Sequence, residues 1–238
     1  MSTASKRATF VIVHGAWGGS YGWTPFVEEM RSRGHRVFYP SLTGLGERSH
    51  LFHGGINLST HIEDVCNTVR CEQLDRFILA GHSYGGMVVT GVADRLAHHI
   101  TGLVYIDAFL PETGKCLWDY TPADNKTRFA EAGERGGIAV PSPAQSMVGL
   151  SEAERALRAP MAIGTLVEKL KLTGKVDSIA NRLYIFAARN PGDTFHQFYN
   201  RVRGDKSWKT AEVASGHAIH REQPAELMKL LESMIEAT

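Results

Sequence analysis

The sequence predicts an α/β fold: a doubly wound, mostly parallel sheet of about six strands, with an inserted cap. Three observations predict it. Short apolar runs alternate with helical segments along most of the chain, the pattern of units that feed one parallel sheet. One run, Phe77-Ile78-Leu79-Ala80, ends abruptly in Gly81-His82-Ser83-Tyr84-Gly85-Gly86, and a helical stretch follows at 87–96. His14, Ser83, Asp107 and His217 all fall where such runs end, and parallel sheets gather their functional groups at the carboxyl ends of their strands.

The elements follow in order. Residues 8–13 form a β-branched run suited to a central strand. His14-Gly15-Ala16-Trp17-Gly18-Gly19 then makes a loop able to present backbone N–H groups at the sheet's edge. That loop has some likeness to a phosphate loop, but no Gly-Lys-Ser/Thr follows it. A helix at 23–33 closes on Gly34, and residues 37–39 form a second strand. In the long loop 40–57, Gly44-Leu45-Gly46 suggests a dinucleotide fingerprint, but Ser49 occupies the place of its third glycine. Thr60-x-x-Glu63 predicts a capping box for a helix running to about residue 70. The strand that leads into Ser83 comes next. A further strand at 102–107 ends on Asp107, whose carboxylate needs a partner if it is buried.

Residues 112–178 break the alternation. Tyr120-Thr121-Pro122-Ala123 and Val140-Pro141-Ser142-Pro143 interrupt them, and helical pieces are expected at 151–158 and 160–172. Trp118, Tyr120, Phe129, Met147, Met161 and Leu166 are scattered apolar positions. This segment is expected to be a cap over the sheet edge, the alternative being a second core lobe with no role in binding, with 1–111 and 179–238 as the core. The sheet resumes at 182–187. After Arg189-Asn190-Pro191-Gly192-Asp193 a helix runs to about residue 203, and a last strand at 208–213 precedes Ala214-Ser215-Gly216-His217. A final helix is expected from Pro224 to about Glu236.

Composition narrows the function classes. The 238 residues suffice for one α/β domain, and 43% hydrophobic with 21% charged residues is ordinary for a soluble enzyme. A net charge of +1 implies no broad basic face for nucleic acid. No apolar run reaches the length of a membrane span, and the first residues lack a signal-peptide core. Cys66, Cys71 and Cys116 have neither paired nor metal-like spacing and fit a reducing compartment, so a cytoplasmic location is expected.

Gly-x-Ser-x-Gly is common by itself; between a strand and a helix it describes a nucleophile elbow. A serine hydroxyl needs a base within hydrogen-bond reach, and the base needs a carboxylate on its other ring nitrogen. His217, in a small turn after the last strand, is the expected base. Of the other histidines, His220 is expected on the surface of the final loop, and His98 and His99 at a helix end. His50, His53 and His61 lack a matching acidic pattern for a metal. Neither metal nor cofactor is expected.

These motifs together resemble the α/β-hydrolase superfamily, and within it the small esterases related to plant methyl-ester hydrolases and hydroxynitrile lyases. The likeness rests on Val13-His14-Gly15-Ala16-Trp17, Gly81-His82-Ser83-Tyr84-Gly85-Gly86, Ala108-Phe109-Leu110-Pro111, and Gly216-His217 followed by Glu222-x-Pro224. It implies Ser83 as nucleophile, His217 as base, and an oxyanion hole from the Ala16 and Tyr84 N–H groups. The chain departs from the pattern at the acid: Asn190 stands where those relatives carry it. Asp107, at a position some lipases of the superfamily use, is preferred. Asp193 is the alternative, and its other reading is a cap of the next helix.

The expected activity is hydrolysis of a small or medium, mainly apolar carboxylic ester through an acyl-enzyme. A lyase on the same scaffold would need Thr and Lys where Ala16 and Ala218 stand. Cleavage of a C–C or amide bond stays open, because cap and pocket choose the leaving group. So does a slow, ligand-sensing hydrolase. A homo-oligomer is compatible with the sequence.

Overall fold

The structure, a computed structural model, describes residues 7–134, 138–143, 149–190 and 194–235. Its strands are Thr9–Val13 (β1), Arg36–Phe38 (β2), Phe77–His82 (β3), Ile100–Ile106 (β4), Ala139–Val140 (β5), Met161–Ala162 (β6), Arg182–Ala187 (β7) and Lys209–Val213 (β8). Its α-helices are Thr24–Ser32 (α1), Leu58–Cys71 (α2), Gly85–Leu96 (α3), Leu117–Tyr120 (α4), Ala123–Glu134 (α5), Glu152–Ala156 (α6), Gly164–Val167 (α7), His196–Val202 (α8), Ile219–Glu222 (α9) and Pro224–Glu232 (α10). Six strands pair, all in parallel, in the order β2-β1-β3-β4-β7-β8; β5 and β6 form a separate antiparallel pair.

Side-chain alternation along the strands builds two cores. On one face Val11, Val13, Leu79, Leu103 and Tyr105 pack with Ile62 and Val65 of α2 and Val88 and Val92 of α3. On the other, Phe10, Ile12, Ile78, Val104 and Ile185 pack with Val27 and Met30 of α1 and Leu227 and Leu231 of α10. Each such aliphatic side chain, fully buried, contributes roughly 1.5–3 kcal/mol. Runs of consecutive apolar residues in the central strands, rather than alternate ones, follow from helices covering both faces.

The register sets up the functional edge. Val13 lies opposite Gly81, His82 opposite Ile106, and Ile106 opposite Ile185. His14, Ser83 and Asp107 therefore leave neighbouring strands at one level.

Two local expectations differ from the structure. The capping box of α2 lies one turn earlier: the Asn57 side chain accepts from the Thr60 N–H at 2.9 Å, and Thr60 Oγ1 receives the Asn57 N–H. Asn57 is extended, as an N-cap must be, and its amide oxygen reaches the Thr60 N–H, which makes Thr60 the third helical residue rather than the cap. No helix spans 160–172. Met161–Ala162 pairs with Ala139–Val140 instead, and only Gly164–Val167 is helical. Glu168 is drawn away to bind the Ser59 N–H at 2.7 Å and its hydroxyl at 2.6 Å, which caps the first turn of α2 rather than continuing α7.

The 112–178 segment shares a core with the sheet. Val140, Met161, Leu166 and Leu170 belong to the same buried cluster as Val11 and Leu79. Trp17 Nε1 donates to the Val140 carbonyl at 2.9 Å, and the Ala159 N–H donates to the Trp17 carbonyl at 3.2 Å. Those bonds hold the β5–β6 region against the loop after β1. Phe129 side-chain placement and Met147 fall outside the described residues.

Candidate active site

Ser83 sits in the left-handed region with a φ of 55°, a conformation non-glycine residues adopt at a cost of about 1 kcal/mol or more. The turn is held from both sides. The Ser83 N–H donates to the Ile106 carbonyl at 3.3 Å, and the Ser83 carbonyl accepts from Gly86 at 3.0 Å and Phe109 at 3.1 Å. Two glycines make room for it. A Cβ on Gly81 would lie 2.7 Å from the Gly85 carbonyl oxygen, and one on Gly86 2.0 Å from that of Phe109. The loop after β1 runs hard against the serine, since a Cβ on Gly15 would stand 3.0 Å from Ser83 Cβ.

Among the described residues, neither the Ala16 nor the Tyr84 N–H donates to another protein group. Tyr84 precedes α3, whose N-terminal dipole favours negative charge at this point. Its phenol is buried and fixed: His61 Nε2 donates to the Thr43 carbonyl at 2.9 Å, so the Tyr84 hydroxyl donates to His61 Nδ1 at 2.8 Å. Burial depresses the His61 pKa and keeps the ring neutral.

Asp107 also has a positive φ, 41°, and is fully buried. His217 Nδ1 donates to its Oδ2 at 2.7 Å. The Ala187 N–H donates to Oδ1 at 3.2 Å, and Asn190 Nδ2 to Oδ2 at 2.7 Å. Three donors thus replace the water that a buried carboxylate loses. The His217 ring stacks on Phe195, centroids 4.9 Å apart, and its other face meets His82 at 4.5 Å. The turn that carries it is closed by Glu222, which accepts the Gly216 N–H at 2.7 Å.

The structure thus brings Asp107 and His217 together and sets Ser83 and Ala16 at the same edge. Asp193 lies outside the described residues. Asn190, which stands where an acid was expected, does not point elsewhere but buttresses Asp107. His82 makes a contact that the sequence reading did not assign: its Nε2 donates to the His217 carbonyl at 2.9 Å. Burial, with the neighbouring His217 and His220 rings, holds His82 well below its ordinary pKa. The signal for His82 was its place inside the Gly-x-Ser-x-Gly turn; nothing in the sequence marked Phe195.

His220 is not on the surface. It is buried and stacked on Trp23 at 4.0 Å, and burial pushes its imidazole down to about 3. Folding α9 back beneath the His217 turn carries it inward, which a sequence pattern of one short turn does not reveal. His14 is likewise buried. It accepts the Leu42 N–H on Nε2 at 3.1 Å, and burial lowers it to about 4. Among the described residues no cluster of three or more His, Cys, Asp or Glu side chains is arranged to hold a metal.

A six-stranded parallel sheet with a strained serine at one strand end and a His–Asp pair at the same sheet edge defines a hydrolase class. Residues 10–230 match the Alpha/beta hydrolase family, and the chain belongs to that family. Carbendazim hydrolyzing esterase of Nocardioides sp. is 35% identical over 240 residues, covering 95% of this chain and 99% of that enzyme. Methylesterase 2 of Arabidopsis thaliana is 26% identical over 146 residues, 56% of this chain and 49% of that one. An extracellular alpha/beta-hydrolase from a Paenibacillus species superposes with a TM-score of 0.83 at 24% identity, over 97% of this chain and 100% of the other. Family, fold and esterase relatives together make this an ester-cleaving hydrolase.

Proposed function

We propose that Ser83, His217 and Asp107 form the catalytic triad of a carboxylic-ester hydrolase. The observation that carries the reading is the 2.7 Å contact of the fully buried Asp107 with His217 Nδ1 beside a serine in a strained turn. Asp107 fixes the tautomer that leaves Nε2 free to accept a proton. Ser83 Oγ attacks the ester carbonyl carbon as Nε2 takes the hydroxyl proton. The Ala16 and Tyr84 N–H groups bind the oxyanion, each worth a few kcal/mol in the transition state, roughly 3 per donor. The tetrahedral intermediate collapses, and His217 gives its proton to the leaving alcohol. Water, deprotonated by the same imidazole, then releases the acid from Ser83.

Residues 112–178 serve as the cap in this reading, and their apolar side chains suit a small or medium, mainly apolar ester. Ala16 and Ala218 disfavour the lyase alternative. The carbendazim hydrolyzing esterase and Methylesterase 2 support a small-molecule substrate. Free Cys66, Cys71 and Cys116 suit a reducing, cytoplasmic setting, and no helix among the described residues is long and apolar enough to cross a membrane.

The test is labelling by a fluorophosphonate probe together with turnover of a short-chain nitrophenyl ester. Both should be present in the wild type and absent in a folded Ser83→Ala protein. Equal labelling of the two proteins would remove Ser83 from the chemistry.

A further inference from the structure

Arg158 lies between α6 and β6, directly against the loop that carries Ala16. The Ala159 N–H bonds the Trp17 carbonyl at 3.2 Å, and a Cβ on Gly18 would stand 3.4 Å from Arg158 Nη1. The guanidinium is half-buried. Its Nε donates to Ser142 Oγ at 3.2 Å, and among the described residues it has no carboxylate partner. The nearby acid is already engaged: Glu154 pairs with Arg221 Nη1 at 2.6 Å and accepts from the Ser151 N–H at 2.9 Å. Beside Arg158 lies the buried hydroxyl of Tyr21, which faces the guanidinium and has no acceptor for its own proton among the described residues.

Both features run against the usual economy of folded proteins. A guanidinium stays charged at any physiological pH, and enclosing it without a counter-charge is unfavourable. A buried phenol normally bonds something. Burial and the like charge of Arg221 lower the Arg158 pKa, while burial raises that of Tyr21, so the phenol remains an O–H donor. Two donors of matching chemistry therefore stand together, at the edge of the loop whose N–H would receive the oxyanion.

We propose that Arg158 and Tyr21 form an anion-binding subsite that holds a carboxylate carried by the ester substrate. Arg158 supplies its terminal N–H groups to the two oxygens, and Tyr21 adds a third donor. The preferred substrate is then an otherwise apolar ester bearing one anionic group. This rests on the reading of Ser83 as nucleophile, and the test separates the two.

Wild type, Arg158→Gln, Tyr21→Phe and Ser83→Ala are compared on 4-nitrophenyl hemiglutarate and on the neutral 4-nitrophenyl hexanoate. The wild type should prefer the hemiglutarate. Arg158→Gln should lose about 10-fold or more in kcat/KM on the hemiglutarate, mainly through KM, with hexanoate turnover unchanged. Tyr21→Phe should lose the same selectivity in smaller measure. Glutarate should bind to Ser83→Ala in calorimetry, and this binding should vanish in Ser83→Ala/Arg158→Gln, a readout that needs no catalysis. An equal loss on both esters, no loss on either, or glutarate binding untouched by Arg158→Gln would overturn the subsite. Turnover of both esters by Ser83→Ala would instead overturn the nucleophile and leave the binding result to decide the subsite.

Discussion

At the scale of single residues, the site turns on how a buried carboxyl group is held. Asp107 has three donors, and one of them comes from Asn190. The sequence signalled Asp107 through its place at the end of an apolar strand, but gave Asn190 only as a missing acid. Its role is visible only when β4 and β7 lie side by side, which puts residues 83 apart within 2.7 Å. Asn190→Leu would remove one of those donors from Asp107 without adding charge, leaving the carboxylate less firmly aimed at His217. The kcat/KM for a nitrophenyl ester should fall about 10-fold or more while the protein stays folded. An unchanged rate would show that Asn190 does not help to hold the acid.

At the scale of elements, the turn between β3 and α3 has the tightest packing of the site. Gly86→Ala would drive a methyl into the Phe109 carbonyl, backbone that has nowhere to move because Phe109 N also bonds Ser83. Chemical denaturation should show a loss of about 3 kcal/mol or more. Gly204→Ala, after α8, has open space around it and should change stability by less than about 1 kcal/mol. Similar losses in the two would mean that the elbow is not sterically locked. This turn was legible in the sequence because its constraint is local: glycine, serine and glycine at fixed offsets. The 160–172 stretch was not legible, because long-range partners decide it. Ala139–Val140 takes one part as a strand, and Ser59 captures Glu168.

Across the whole molecule, several histidines are buried as neutral rings. His14 is held at about 4 and His220 at about 3, both below the ordinary 6.5, and His82 is lowered in the same direction. The unfolded chain therefore binds more protons than the folded one between the folded values and 6.5. Their contribution is fully present above pH 6.5 and is lost as pH falls through that window. Each ring should account for up to about 2 kcal/mol of lost stability between pH 7.5 and pH 5. Urea midpoints at the two pH values should differ accordingly, and a flat profile would contradict the burial of these rings. The fold class was readable from alternation, since apolar runs mark the four central strands β1, β3, β4 and β7. The inward fold of His220 was not, because burial there depends on Trp23 from the opposite end of the chain.

The central claim is that Asp107, reached across the sheet from His217, is the acid of the triad. It is tested by kcat/KM of Asp107→Asn beside Asp193→Asn, each shown to be folded. The account predicts a fall of about 10⁴-fold in the first, the effect of losing the correct imidazole tautomer, and near-normal turnover in the second. Turnover retained in Asp107→Asn and lost in Asp193→Asn would contradict it.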